Sequence, residues 1–212
     1  MKILFCGYRE WAIEVYQSFR SFDFVSSPEE LNQTIYNTQY DIIFFIGWSW
    51  IVNEELLRSN KCICMHPSPL PKYRGGSPLQ NQIINGETES AVTLFVMDKQ
   101  IDHGNILWQK RLSLKGELSS ILTDITALTI QGIEFVLTNP NDEGYKQDHA
   151  QATMCKRRKP TDSEIKLEDF LVLNATQLYN KIRCLQNPYP RPFIKCKNGT
   201  RLYITRASDE SY

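Results

Sequence analysis

Apolar residues in this chain fall first in short unbroken runs and later at helical spacing. "KILFC" (2–6), "DIIFFIG" (41–47), "KCICMH" (61–66) and "AVTLFVMD" (91–98) are nearly continuous, the pattern of strands covered on both faces. Between them "WAIEVYQSFR" (11–20), "NEELLRS" (53–59) and "SPLQNQIING" (77–86) read as helices. Ser77-Pro78 has the form of an N-cap followed by N1. "NILWQKRLSL" (105–114) predicts a further strand, and "SSILTDITALTIQGIEFVLTN" (119–139) predicts a long amphipathic helix.

Alternating strands and helices predict an α/β fold built on a doubly wound, mostly parallel, Rossmann-like sheet. Past Pro140 the pattern changes. "NPNDEGYKQDHAQ" is polar and loop-like, and "CKRRKP" (155–160) reads as a basic hinge. Then come a helix "NATQLYNKIRCLQ" capped by Asn174, a turn "NPYPRP", and two strands, "FIKCK" and "RLYITRA", joined across Asn198-Gly199. An Asn-Gly pair there is a hairpin signal. The expected division is 1–150 for the main domain and 151–212 for a small α+β appendage. So small a unit lacks a robust core of its own and is expected to pack on the main domain.

Charge narrows the picture. Lys plus Arg equals Asp plus Glu at 24 each, so no strongly basic field for a nucleic acid is expected. No run approaches twenty apolar residues and Met1 leads straight into a strand, so a cytoplasmic protein without a membrane segment is expected. Six cysteines are scattered through the 212 residues; reduced, mostly buried thiols fit better than a disulfide framework.

Ligands of open α/β sheets sit outside the carboxyl ends of the strands. That rule gathers "GYREW", "GWSWI", the loop after His66 and "DKQIDHGN". In "HPSPLPKYRGGSP" the prolines at 67, 69 and 71 exclude a helix or inner strand. The result is a stiff loop rooted at His66. Cys62, Cys64 and His66 share one strand face, but the cysteine spacing is not that of a zinc site, so no metal is expected and the cysteines read as small core residues. "GYREW" lacks a dinucleotide fingerprint; Tyr8 and Arg9 can face a ligand or solvent. Trp48 and Trp50 flanking Ser49 fit either core packing or a slot with an apolar wall. His66 and Asp102 stand at predicted strand ends, where a carboxylate can fix the tautomer of an imidazole; a purely structural pair has the same form.

"HPSPLPKYRGGSPLQNQIINGETESAVTLFVMDKQIDHGNIL" resembles the formyltransferases that use N10-formyltetrahydrofolate, with their H-x-S-L-L-P-x-[WY]-[RK]-G core and later D-x-G-x-I/L. The similarity runs from about residue 42 to 139, and the tail "YNKIRCLQNPYPRPFIKCKNGTRLYITRA" is similar to that of sugar N-formyltransferases. The resemblance implies that His66 and Asp102 are catalytic. The family's asparagine two residues before the histidine falls on Cys64, a weak donor in place of an amide. The resemblance further implies N10-formyltetrahydrofolate as cofactor, lying against Trp48, Ser49, Trp50, Ile51 and Val52 and against Met97, Asp98, Lys99, Gln100 and Ile101. For the acceptor it implies a nucleotide-linked (UDP or dTDP) amino-dideoxy sugar, a surface-polysaccharide precursor of the 4-amino-4,6-dideoxy or pseudaminic-acid type, with Tyr8, Arg9, Ser68, Lys72, Tyr73, Arg74, Gly75, Gly76 and Tyr189 as contacts and Phe193 as a further stacking candidate. Lys72 and Arg74 on the glycine-rich loop suit its pyrophosphate. A homodimer through the tail is the expected assembly. Methionyl-tRNA and glycinamide ribonucleotide are the competing acceptors. A binding protein without turnover, or one regulated through its thiol, is the reading from another class that Cys64 opens.

Overall fold

In the computed structural model, which describes residues 1–209, the first third alternates strictly. It runs β1 (Ile3–Cys6), α1 (Glu10–Gln17), β2 (Asp23–Val25), α2 (Pro28–Asn37), β3 (Ile42–Phe45), α3 (Glu54–Ser59) and β4 (Lys61–His66). After two loop residues paired as β5 (Arg74–Gly75) come α4 (Pro78–Ile84), β6 (Glu89–Val96), β7 (Ile106–Ser113) and α5 (Leu118–Thr138). The sheet order is β2-β1-β3-β4-β6-β7. The first four strands are parallel, whereas β6 and β7 are antiparallel to their neighbours.

Strand parity sorts the core into two layers. Phe5, Phe44, Ile63, Met65, Val92 and Leu94 face α1, α4 and α5; Leu4, Cys6, Ile43, Phe45 and Cys62 face Leu31 of α2 and Leu56 of α3. Over the β6 end of the second face no helix lies. Leu70, Phe95 and Ile106 form a small cluster there, joined to the α2/α3 layer through half-buried Cys64 and Met97. Leu70 comes from the loop that follows His66, so loop residues cover that corner.

The pattern assigned nothing over residues 21–40, yet β2 and α2 lie there. Their burial is slight, Val25 in one and Leu31 in the other, so periodicity is faint. Capping carried the signal instead: Ser27 Oγ accepts from Glu30 N–H, Pro28 opens the helix, and Glu29 and Glu30 fill its first turn. Ser77 has the same Ser-Pro form but does not cap. It sits at φ 53°, and its Oγ accepts from Arg158 N–H at 3.1 Å.

α5 is long and apolar enough to cross a membrane by composition alone. Its buried stripe, Leu118, Ile121, Ile125, Thr129, Ile133 and Val136, belongs to the first core layer, as in the central helix of a globular domain.

The tail packs on this domain. After β8 (Met154–Cys155) come α6 (Asp169–Val172), α7 (Ala175–Arg183), β9 (Phe193–Lys195) and β10 (Arg201–Tyr203), the last two pairing antiparallel. Asn174 and Gln177 form a capping box on α7. Cys184 and Leu185 enter the first core layer, and buried Arg183 donates from Nη1 to Leu114 O and Gly116 O, both at 2.8 Å.

The basic run is not a hinge. Arg74 N–H donates to Thr153 O, Gly76 N–H to Cys155 O, and β5 and β8 pair in parallel. Residues on both sides of position 150 therefore hydrogen-bond to the loop that follows His66, as a strap across it.

Candidate active site

His66 ends β4 on the Cys62–Cys64 face and is 5% exposed. Its Nε2 lies 2.8 Å from Tyr73 O, an acceptor, so Nε2 carries the hydrogen. Nδ1 faces Asp102 Oδ2 at 3.4 Å. The same Oδ2 accepts from Gly75 N–H at 2.8 Å. Asp102 Oδ1 has no hydrogen bond among the described residues and is the open acceptor of the pair.

The route by which Asp102 reaches His66 differs from the expected convergence of carboxyl ends. β6 is antiparallel to β4, with Ile63 opposite Val96 and His66 opposite Thr93. The chain leaving β6 therefore starts near the middle of β4 and must fold back along it. Asp102 sits at φ 50° in that turn, a conformation Asp tolerates better than most side chains but at some cost. Gly75 has φ 100°, and a Cβ there would lie 2.5 Å from Cys155 O; this explains the glycine beside the Asp102 carboxylate.

Gln147, which sequence reasoning left in a loop, is 5% exposed. Its Oε1 accepts from Arg74 Nε at 3.2 Å and Nη2 at 2.5 Å, and its Nε2 donates to Asp102 O at 3.0 Å and Gly104 O at 2.7 Å. Arg74 Nη2 also donates to His149 Nδ1 at 2.9 Å. His149 stacks on His103 with centroids 4.0 Å apart, and His103 Nδ1 lies 2.7 Å from Asp98 Oδ2. Burial, then His103 and Arg74, hold the His149 imidazole below the usual histidine range, in keeping with a neutral ring that accepts from arginine. Nothing in the pattern signalled Gln147, because a buried amide in a polar stretch has no periodicity to mark it.

Several expected contacts are spoken for. Arg74, expected to face a pyrophosphate, is 6% exposed and bound to Gln147 and His149. Ser68 is fully buried, with Oγ donating to Lys72 O and its own carbonyl accepting from Thr93 Oγ1. Tyr73 has its hydroxyl on Glu87 Oε1 and its carbonyl on His66. Asp98 accepts from Gln100 N–H at Oδ1 and faces His103 Nδ1 at Oδ2. Lys72 is exposed; its main chain is bound, N–H to Pro69 O and carbonyl to Ser68 Oγ, which leaves the ammonium as the group it can offer. Lys99, Gln100 and Ile101 are exposed on the same turn as Asp102, and Ile51 is 97% exposed.

Beside the pair lie an apolar wall and a polar cluster, here called the lip. Trp48 packs edge-on against Phe45 and Trp50, at 5.8 and 4.8 Å between centroids, while Val52 is buried beneath. Trp48 Nε1 is buried and has no hydrogen-bond partner among the described residues. Half-buried Cys64 and Met97 complete the wall. Burial first, then the Asp102 charge and Cys62, push the Cys64 thiol well above its ordinary range; it stays protonated and is no nucleophile near neutral pH.

On the lip, Ser49 Oγ accepts from Tyr8 Oη at 2.8 Å and from Arg9 Nη2 at 3.3 Å, while Ser49 O accepts from Arg157 Nη2 at 3.0 Å. The Tyr8 ring lies 4.6 Å from that of Trp50, and the Arg9 guanidinium sits 5.6 Å from the Tyr189 ring. Ser49 thus belongs with Tyr8, Arg9 and Tyr189 rather than with the tryptophan wall. Phe193 lies apart, 4.4 Å under the Arg201 guanidinium in the tail hairpin. Among the described residues no cluster of three His, Cys, Asp or Glu is arranged to hold a metal ion.

The architecture is a mostly parallel α/β sheet with a buried His–Asp pair beside an apolar wall. The profile of the formyl transferase family ("Formyl transferase") matches residues 15–123, and the chain belongs to that family. A methionyl-tRNA formyltransferase of Sulfurovum sp. (strain NBC37-1) is 30% identical over 182 residues, 82% of this chain and 56% of its own length. The chain thus spans little more than half of that relative. The solved methionyl-tRNA formyltransferase from Clostridium thermocellum superimposes with a TM-score of 0.88 at 30% identity, over 98% of this chain and 93% of that one. A 4-N formyltransferase from Francisella tularensis has the same fold, with a TM-score of 0.75 at 18% identity over 97% of each chain.

Proposed function

We propose that this chain moves a formyl group from N10-formyltetrahydrofolate to the primary amine of an acceptor bearing a nucleoside phosphate, a nucleotide-linked amino sugar (UDP or dTDP) being the first reading. The observation that carries it is the free Oδ1 of Asp102, whose Oδ2 faces His66 and accepts from Gly75 N–H, in a chain that belongs to the formyl transferase family.

N10-formyltetrahydrofolate, when bound, supplies an activated formyl carbon on a nitrogen leaving group. A flat heterocycle fits the wall of Trp48, Val52, Cys64 and Met97, and the unpaired Trp48 Nε1–H offers it one donor. With Nε2 fixed on Tyr73 O, His66 presents Nδ1 to Asp102 and nothing else. His66 therefore acts through Asp102; Asp102 Oδ1 would receive the proton that the attacking amine loses and return it to the departing nitrogen, leaving the carboxylate as it began. The lip suits an acceptor anion with a planar group: two guanidiniums meet at Ser49 between Tyr8, Trp50 and Tyr189.

A second reading, formylation of methionyl-tRNA, is favoured by the 30% identity to the Sulfurovum and Clostridium thermocellum proteins. Against it stands the equal count of 24 cationic and 24 anionic side chains in this sequence, since tRNA affinity draws on a wide basic field. Mass spectrometry of UDP- and dTDP-linked 3-amino and 4-amino sugars, with methionyl-tRNA as a separate arm, decides. One sugar gaining a single formyl group supports the first reading. Formylation of methionyl-tRNA alone overturns it in favour of the second, and no product in any arm removes both.

Cys64 gives a further expected outcome. Its side chain is half-buried among Leu70, Phe95, Met97 and Ile106, where an amide gives up part of its hydration to apolar neighbours, at a cost of up to about 1–3 kcal/mol. Cys64→Asn is expected to lower the melting temperature and to change kcat by less than about tenfold. A missing oxyanion donor is worth about 10²–10³ in rate, so a gain of that size would mean that the thiol leaves the formyl oxygen short of a hydrogen bond.

A further inference from the structure

We infer that Gln147 is a positioning residue that holds Asp102 against His66. The inference rests on the formyl-transfer reading only for what the His66–Asp102 pair does, not for how the pair is held.

The two loops that make the site touch twice. One link is direct: Gly75 N–H to Asp102 Oδ2 at 2.8 Å. The other runs from the neighbouring Arg74 through Gln147 to the main-chain carbonyls of Asp102 and Gly104. Gln147 has its amide engaged on both sides, with two bonds accepted at Oε1 and two donated from Nε2, and it is buried. A network with every member satisfied has one low-energy arrangement, and a half-satisfied one is costly. Only glutamine, among side chains of this length, can accept from a guanidinium and donate to two carbonyls at once.

What is held needs holding. Asp102 lies at φ 50°, away from the minimum its residue type prefers. Its carboxylate is aimed at His66 only while its main chain stays in that state. The bonds from Gln147 Nε2 fall on residues 102 and 104 themselves, on either side of His103. Charged and titratable groups that interact with Asp102, besides His66, are Arg74 and the Cys64 and Cys155 thiols, and Asp98 acts on Arg74; Gln147 contributes no charge, so it acts by geometry.

The chain has three histidines, and the ring-nitrogen resonances of His66 are readily separated in long-range ¹H–¹⁵N spectra of uniformly labelled protein. At one fixed pH, Asp102→Asn marks where the His66 signals go when the carboxylate is lost. Gln147→Met is expected to move them toward that position, and adding Gln147→Met to Asp102→Asn to move them no further. Gln147→Glu keeps the acceptor for Arg74 and so protects the fold, but removes both donors; the same movement is expected. In the formyl-transfer assay kcat is expected to fall by on the order of 10²-fold, the cost of misplacing a catalytic group by about 1 Å, with KM nearly unchanged. Wild-type His66 signals in folded Gln147→Glu would overturn the inference whatever the activity. Movement of the signals in a protein that formylates no acceptor would uphold the positioning and sink the function instead.

Discussion

Asp102→Asn is expected to abolish formyl transfer while leaving the fold intact. The carboxylate and the amide have the same shape, and the amide oxygen can still accept from Gly75 N–H at the position now held by Oδ2. Asn also tolerates the left-handed backbone at φ 50° at least as well as Asp. Stability should therefore change by no more than about 1 kcal/mol, the worth of one ordinary hydrogen bond. What disappears is the negative charge and the basic Oδ1, and loss of a positioned general base costs about 10²–10⁴ in rate. His66→Ala should cost a similar factor by a different path, since it removes the ring that faces Oδ2 at 3.4 Å and leaves Tyr73 O with only the Cys155 thiol, at 3.5 Å, as donor. Single-turnover measurements with the donor in excess, together with melting curves, check both. If Asp102→Asn retained more than about a tenth of wild-type kcat, the proton would be going elsewhere, and the base would have to be sought outside this pair.

Why the pair could be seen in the sequence while its support could not is a matter of what leaves a local trace. β1, β3 and β4 are unbroken apolar runs buried on both faces, and α5 repeats its buried positions at helical spacing; both patterns follow from strand and helix periods. The stiff loop after His66 was legible because each proline removes backbone freedom where it stands. The reversal at β6 was not. A strand buried on both faces reads alike whether it is parallel or antiparallel to its neighbour, so the post-β6 turn was expected at the carboxyl end of β4 instead of folding back along it. Gln147, Arg157 and the strap 153–158 were missed because their roles come from hydrogen bonds across long stretches of chain. Arg74 shows the opposite error. A positive charge on a glycine-rich loop suggests an anion site, but burial decides whether the charge is offered or already bound, and burial at that position depends on residues near 147.

Gly104→Ala should be nearly as damaging to activity as loss of the carboxylate, and unlike it should cost stability too. A Cβ placed on Gly104 would fall 1.8 Å from Val96 O and 3.0 Å from the carbonyl carbon of the same residue. That carbonyl cannot easily retreat: Val96 closes β6, and its N–H donates to Asn105 O at 2.9 Å, so the two ends of the turn are tied together at the point of collision. The strain can be relieved only by moving residues 102–104 outward. Such a shift breaks the 2.7 Å bond from Gln147 Nε2 to Gly104 O and draws Asp102 away from His66. Overpacking of this kind costs about 1–3 kcal/mol, and a catalytic group displaced by about 1 Å loses on the order of 10² in rate. The substitution adds one methyl group and changes no charge, so a fall in kcat with the thermal midpoint lowered by a few degrees would trace both losses to one backbone displacement. A protein that melts and turns over like the wild type would mean that the turn after β6 runs clear of Val96. In that case the bracket holding Asp102 would not be built as described.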